Sequence, residues 1–197
     1  VSHVANGVDI IVAQGYEAGG HTGEIASMVL QPDVVDAVGP DVPVLGAGGI
    51  GSGRQIAASL ALGAQGVWTG SIWLGTSEYR NLNTHAGWES AFTRATSADT
   101  RRMRIYTGKP ARLLKSKWTD AWEAEGSPAP LPMPLQNLLV SDAHNRINAA
   151  GDPDVVAMPV GQIVGRMNEV RPVAEVMADL IAEFEATVKR LDAISEG

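Results

Sequence analysis

A histidine in a glycine-rich loop, and two glycine-rich turns after it, are the places where this sequence could do chemistry. His21 lies in Gln14-Gly15-Tyr16-Glu17-Ala18-Gly19-Gly20-His21-Thr22-Gly23, directly after the β-branched run Val8-Asp9-Ile10-Ile11-Val12-Ala13. Imidazole titrates near neutrality, so a histidine projecting from a strand end could give or take a proton beside a bound ligand. The plainer reading is a solvated loop side chain. Glu17 could be a second acid or base, although a solvent-facing carboxylate is the better expectation. Two later turns, Gly48-Gly49 and Gly70-Ser71, each follow a short apolar run. Consecutive turns of this kind can aim backbone N–H groups at one phosphate, with helix N-termini adding positive potential. Alternatively, the glycines only permit tight turns.

Gly46-Ala47-Gly48-Gly49-Ile50-Gly51 also fits G-x-G-x-x-G. A dinucleotide site adds an acidic residue about 20 positions on. Here the next strand ends in Thr69-Gly70-Ser71 and the first acid is Glu78, which argues against that site. The chain has no cysteine, and His3, His85 and His144 form no ligand spacing, so no metal is expected.

The elements that must position these residues follow a βα rhythm. Apolar runs begin near residues 8, 42 and 67 and suit strands covered on both faces of a parallel sheet. Between the second and third, Arg54–Leu62 is expected to be helical, with Ser52 as N-cap and Gly63 as its stop. Fifteen of the 22 glycines precede residue 76, at the ends of these strands, where parallel α/β folds bind ligands. Residues 78–125 read as helical and carry Arg94, Arg101, Arg102, Arg104, Lys109, Arg112, Lys115 and Lys117. That cluster could hold an anionic cofactor tail, a CoA-type substrate or a partner, but a solvated helical face is the default. Trp68 and Trp73 are expected in the core. Pro128, Pro130, Pro132 and Pro134 alternate in an extended connector over 126–135. Pro172 then opens a long helix in which Val173, Val176, Met177, Leu180, Ile181, Phe184, Val188, Leu191 and Ile194 form an apolar stripe, expected to pack on the core.

With 197 residues, 45% hydrophobic and 19% charged, the chain is globular in composition. A net charge of -7 argues against nucleic acid as a partner. The uncharged stretch Ile56–Ser77 is interrupted by glycine, glutamine, threonine and serine, so it reads as helix, turn and strand and not as a membrane span. The N-terminus has no basic region followed by an apolar one, and a cytoplasmic location is expected.

The motif Ala13–Gly23, together with Val44-Leu45-Gly46-Ala47-Gly48-Gly49-Ile50 and Gly63-Ala64-Gln65-Gly66-Val67-Trp68-Thr69-Gly70-Ser71, resembles the nitronate monooxygenase family in order and spacing. Gly161-Gln162-Ile163-Val164-Gly165, followed by Arg171-Pro172, resembles that family's C-terminal pattern. The resemblance implies an α/β fold, the C-terminal part (about strands 6–8) of an FMN-binding TIM (β/α)8 barrel plus a helical C-terminal extension. Residues 1–77 would be the βα units bearing the flavin site, and 78–197 a mainly helical extension packing on the barrel.

By matching position, His21 would be the catalytic histidine beside the flavin. Gly48, Gly49, Gly70 and Ser71, the last usually threonine in the family, would hold the FMN phosphate, with Ala47 in the same cofactor-binding set. Gln14, Gly19 and Gly20 would lie along the ring and ribityl chain. The implied reaction oxidises an alkyl nitronate with oxygen to a carbonyl compound and nitrite. Related members reduce quinones or unsaturated acyl-CoA thioesters with NAD(P)H. Three strands cannot close an eight-stranded barrel. A missing N-terminal half, an oligomer, or an inactive half-barrel that only binds FMN or a partner are therefore also expected possibilities.

Overall fold

The computed structural model describes residues 2–82, 87–156 and 158–196; His85 lies outside them. In chain order come α1 (Ser2–Ala5), β1 (Ile11–Gln14), β2 (Gly20–His21), α2 (Ser27–Val38), β3 (Val44–Ala47), α3 (Gly53–Ala61) and β4 (Gly66–Trp68). A 3-10 turn at Ser71–Gly75 leads to α4 (Ser77–Leu82) and α5 (Trp88–Arg94). Then follow β5 (Thr100–Met103), β6 (Ala111–Leu114), α6 (Lys117–Glu123), α7 (Leu135–Ala150), a second 3-10 turn at Gln162–Arg166, and α8 (Val173–Ser195).

The three apolar runs form one parallel sheet in the order β1-β3-β4, with Ala13 opposite Gly46 and Gly46 opposite Val67. The sheet is open, and β1 and β4 are its edges among the described residues. Small residues let the helices close on it. A side chain at Gly46 would strike the Ser59 hydroxyl, which donates to the buried Gln31 amide oxygen at 2.7 Å and so ties α3 to α2. Ser52 caps α3 as expected: its hydroxyl accepts from Gln55 N–H, and the Gln55 amide oxygen accepts from Gly51 N–H at 2.8 Å. Gly63, at φ +97°, ends that helix.

The reading of residues 78–125 as helical is corrected at 100–114. There, β5 and β6 pair antiparallel, and β2 joins them in the order β2-β6-β5. The arginines hide the strand pattern. Arg112 stands in β6 between the fully buried Ala111 and Leu113, yet it is itself only 3% exposed. It can be buried because the Tyr16 carbonyl accepts from its Nε and Nη2 at 3.2 and 2.9 Å, and Thr100 Oγ1 accepts from Nη1 at 3.0 Å. The Gly-rich loop after β1 is likewise not all loop, since Gly20 and His21 pair with Arg112 and Ala111.

The main apolar core lies beside the parallel sheet. Trp88 and Phe92 of α5 pack with Leu114, Val160, Val164 and Met167. The stripe on α8 is buried only in part. Leu180 is covered, where Gly53 lets α8 approach the backbone of α3, and the Glu183 carboxylate accepts from Gly53 N–H at 2.8 Å. Met177, Ile181, Val188, Leu191 and Ile194 on the same helix are exposed, which corrects the expectation of one buried face.

A second aromatic cluster closes around β6 and α7. His144 stacks on Tyr106 at 5.0 Å and meets Trp118 edge-on at 5.7 Å. Its Nε2 is buried without a partner among the described residues, and burial pushes its pKa below the ordinary histidine value. A value lowered in the folded state means that the neutral ring's contribution is intact above the unfolded pKa of about 6.5. That contribution is lost as pH falls through the folded value. The denaturation midpoint is expected to drop between about pH 7.5 and about pH 5.5 more steeply than in His144→Phe. Urea titrations at the two pH values check this, and equal drops would assign the acid sensitivity elsewhere.

Candidate functional site

The C-terminal ends of β1, β3 and β4 meet the segment 159–163 around a cavity of about 350 Å3. The loop after β1 is fixed first. A side chain at Gly15 would overlap Ser27, whose hydroxyl lies 3.1 Å from the Glu17 carboxylate and 3.2 Å from the Gly48 carbonyl. Glu17 also accepts from Ser27 N–H at 3.1 Å. Its carboxylate therefore sits at the positive end of α2, whose N-cap, Ala26, offers no side-chain acceptor. This corrects the expectation that Glu17 faces solvent.

The turns after β3 and β4 present backbone to the cavity. Gly48 and Gly49 take φ of +92° and +70°, a conformation that side-chain-bearing residues avoid. The N–H groups of Gly49, Gly70 and Ser71 have no acceptor among the described residues. The Ser71 hydroxyl accepts from Gly161 N–H at 2.8 Å, which leaves its own proton available to a ligand. Helix α3, expected to offer its N-terminus to an anion, already holds one: Glu183 binds Gly53 N–H and pairs with Arg54 Nε at 2.7 Å. Among the described residues, no Lys, Arg, Asp or Glu lines the cavity. It is a neutral cradle of amides and hydroxyls.

Of the expected site residues, Gln14, Gly19, Ala47, Gly48, Gly49, Gly70 and Ser71 line the cavity, whereas Gly20 and His21 do not. His21 is nevertheless tied to it, because the Gln14 side chain donates to the His21 carbonyl at 3.0 Å. The ring is exposed, and its Nε2 lies 2.6 Å from Thr107 Oγ1. Trp68, expected in the core, is 61% exposed and lines the cavity. Sequence reasoning missed Pro159, Gly161 and Ile163 on the far wall. The signal lay in Gly161-Gln162-Ile163-Val164-Gly165, which matched a family pattern but was not read as part of a site.

Half of the basic cluster at 94–117 is taken up by ion pairs. Arg94 and Lys117 both pair with Asp154 at 3.0 Å, and Arg101 pairs with Glu123 at 3.6 Å. Arg102 pairs with Glu24 at 2.7 Å and donates to Thr22. Arg102 and Arg112 flank the Tyr16 ring at 5.4 and 4.6 Å from its centre, so the hairpin grips the His21 loop through two guanidinium groups.

The family model for nitronate monooxygenase matches residues 2–183. The Mycobacterium tuberculosis protein named "Putative monooxygenase Rv1533" is 56% identical over 198 residues, covering 98% of this chain and 52% of that protein. The "Probable nitronate monooxygenase" of Bacillus subtilis is 33% identical over 186 residues, covering 90% of this chain and 52% of that protein. Among solved structures, FabK from Thermotoga maritima is similar with a TM-score of 0.80 at 30% identity, over 98% of this chain and 60% of that one. Nitroalkane oxidase from Streptomyces ansochromogenes is similar with a TM-score of 0.82 at 34% identity, over 96% and 55%. The chain spans about half the length of the curated relatives it matches.

Gly19 is the tightest joint of the cavity wall, since a Cβ there would come within 2.7 Å of Gly161 N and the Val160 carbonyl carbon. Gly19→Ala is expected to push the 159–161 segment off the loop and to cost about 1–3 kcal/mol of stability. Hydrogen exchange at Gly161 and Gln162 should quicken in the variant, and unchanged exchange would show that the segment is not seated there.

Proposed function

The chain belongs to the nitronate monooxygenase family, and we propose that its strand-end cavity is the FMN cradle of an oxidoreductase acting on an alkyl nitronate. The observation that carries this reading is the neutral lining, with Gly49, Gly70 and Ser71 at consecutive strand ends, their N–H groups without an acceptor among the described residues. A phosphate monoester fits such a set, because fixed backbone dipoles solvate an anion without needing a cationic side chain. The volume suits part of a flavin nucleotide, with the remainder extending past the open side.

In this reading Gly48, Gly49, Gly70 and Ser71 hold the phosphate, with Ala47 beneath them. Gln14 and Gly19 lie along the ribityl chain and ring, with Gly20 just outside the cavity lining. Gln14 orients the loop, and His21 stands at the substrate side. Flavin, when bound, supplies the electron-transfer chemistry. The parallel sheet corresponds to three consecutive strands of a barrel, whose remaining strands would flank the open edges of β1 and β4.

A reading as an NAD(P)H-dependent reductase of an unsaturated acyl-CoA thioester or a quinone rested on a basic face between residues 94 and 117. Four of those eight cations, Arg94, Arg101, Arg102 and Lys117, are engaged in ion pairs, and Arg112 is buried against carbonyl and hydroxyl acceptors, which weakens that support. A half-barrel that only binds FMN or a partner is separated from an enzyme by turnover alone.

Fluorescence titration tests the cradle. Gly49→Asp is expected to weaken FMN binding by on the order of 100-fold or more, through charge repulsion at the phosphate. It should weaken riboflavin much less, and an equal loss for both would misplace the phosphate. His21→Ala is expected to lower nitronate turnover by about 10²–10⁴ while leaving FMN affinity nearly unchanged. Oxygen uptake with a nitronate measures this, and an undiminished rate would remove His21 from the site.

A further inference from the structure

We infer, on the FMN reading of this cavity, that Trp68 is a positioning residue: its indole is the face against which the isoalloxazine ring of a bound flavin stacks, so that ring and phosphate are held by separate parts of the chain. The register of the sheet places the residue. Gln14 lies opposite Ala47, and Ala47 opposite Trp68, so the three form one row across β1, β3 and β4. Side chains in one row of a parallel sheet point to the same face, and the neighbouring row points to the other. That neighbouring row is Ala13, Gly46 and Val67, and a side chain at Gly46 would strike Ser59 of α3 and Gln31 of α2. The row ending in Trp68 therefore faces away from these helices, and all three of its residues line the cavity.

The three side chains of the row offer different surfaces. The Gln14 amide is engaged, donating to the His21 and Gly19 carbonyls at 3.0 and 3.5 Å, and the buried Ala47 has only a methyl group. Trp68 supplies the one aromatic ring of the cavity lining among the described residues; the larger apolar groups beside it are the aliphatic Ile50, Leu74, Pro159 and Ile163. The other tryptophans are occupied elsewhere. Trp73 donates its indole N–H to the Thr69 carbonyl at 3.1 Å, Trp88 is buried in the main core, and Trp118 and Trp122 pack on the cluster around Ile105 and Leu113. Trp68 is the exposed one.

Position and chemistry agree. Trp68 lies two residues before Gly70, so at most about 7 Å of chain separates its Cα from the turn assigned to the phosphate. In FMN a five-carbon ribityl chain of comparable length separates phosphate from ring. A planar heteroaromatic ring gains dispersion contact from an aromatic face, and both surfaces leave water when they meet. Aliphatic side chains offer no such flat partner, and the amide of Gln14 is already committed to the loop that carries His21.

Titration of the full chain with FMN and with riboflavin, read by flavin emission, tests the stacking without any turnover. Trp68→Leu is expected to weaken both ligands by the same factor, roughly 10- to 100-fold, because both carry the ring. Gly49→Asp, which acts at the phosphate, should instead separate them. Emission of the bound flavin, quenched by the indole in the native chain, should rise in Trp68→Leu, and Trp68→Phe should keep most of the affinity. Because the indole is exposed, the urea midpoint of each variant should stay close to the native one, with Trp68→Gln replacing the leucine variant if that one is not folded. Affinity and emission both indifferent to Trp68 would overturn the stacking and leave the phosphate cradle standing. Weaker binding with unchanged emission, or a loss for FMN that riboflavin does not share, would overturn it as well. FMN failing to bind the native chain would discard the cradle reading and the stacking with it.

Discussion

The site depends on backbone touching backbone. A Cβ at Gly19 would come within 2.7 Å of Gly161 N, and a Cβ at Gly161 would come within 2.9 Å of the Glu17 carbonyl oxygen. One at Gly48 would come within 3.1 Å of the Gly15 carbonyl oxygen. Loops that approach this closely cannot move independently, so the cavity is defined by main chain and its shape is stiff. Main chain at Gly19, Gly48, Gly49, Gly70 and Gly161 lines the space these loops enclose. The polarity of the site therefore comes from fixed dipoles, which need no reorganisation when charge arrives.

Formal charge is kept out of that space and used around it. Glu17 closes the positive end of α2 and Glu183 that of α3, so neither helix presents an unneutralised terminus. Arg102 and Arg112 hold the loop bearing His21 against the hairpin through Tyr16, Thr22 and Glu24. Arg112 is the more demanding of the two, being buried with carbonyl and hydroxyl acceptors in place of a carboxylate. Truncating it would leave the half-buried Tyr16 carbonyl without its guanidinium donor. The exposed pairs of Arg94 and Lys117 with Asp154 contribute far less to stability, since solvent screens them.

The parts of this arrangement that were legible in the sequence are those whose cause is local. Strand β3, the Ser52 cap, the Gly63 stop and the two glycine turns each follow from a few adjacent residues. The hairpin was not legible, because strand β6 owes its burial to partners far away, Gly20 and His21 on one side and Thr100–Met103 on the other. A run such as Ala111-Arg112-Leu113-Leu114 has no period of two until its arginine is given acceptors. The wall at 159–163 was hidden for the same reason, its one glycine, Gly161, being explained by Glu17, Gly19 and Ser71 across the cavity. The exposed part of the α8 stripe shows the converse: a helical period predicts an apolar face but not what, if anything, covers it.

The two ends of the cavity differ in how completely this chain builds them. At Gly49, Gly70 and Ser71 the walls are locked together within the chain, by Ser71 on Gly161 and by Ser27 on Glu17 and Gly48. Beside Trp68 the wall is the free edge of β4, and beside Gln14 it is the free edge of β1. A parallel sheet ordinarily has its edges and faces covered, because unpaired strand groups and exposed apolar side chains both favour further pairing. Under the proposed reading, binding at the locked end and chemistry at the open end would be physically separable. A planar ring lying across β1 and β4 would leave one side in contact with water, and excluding that water requires strands added at those two edges.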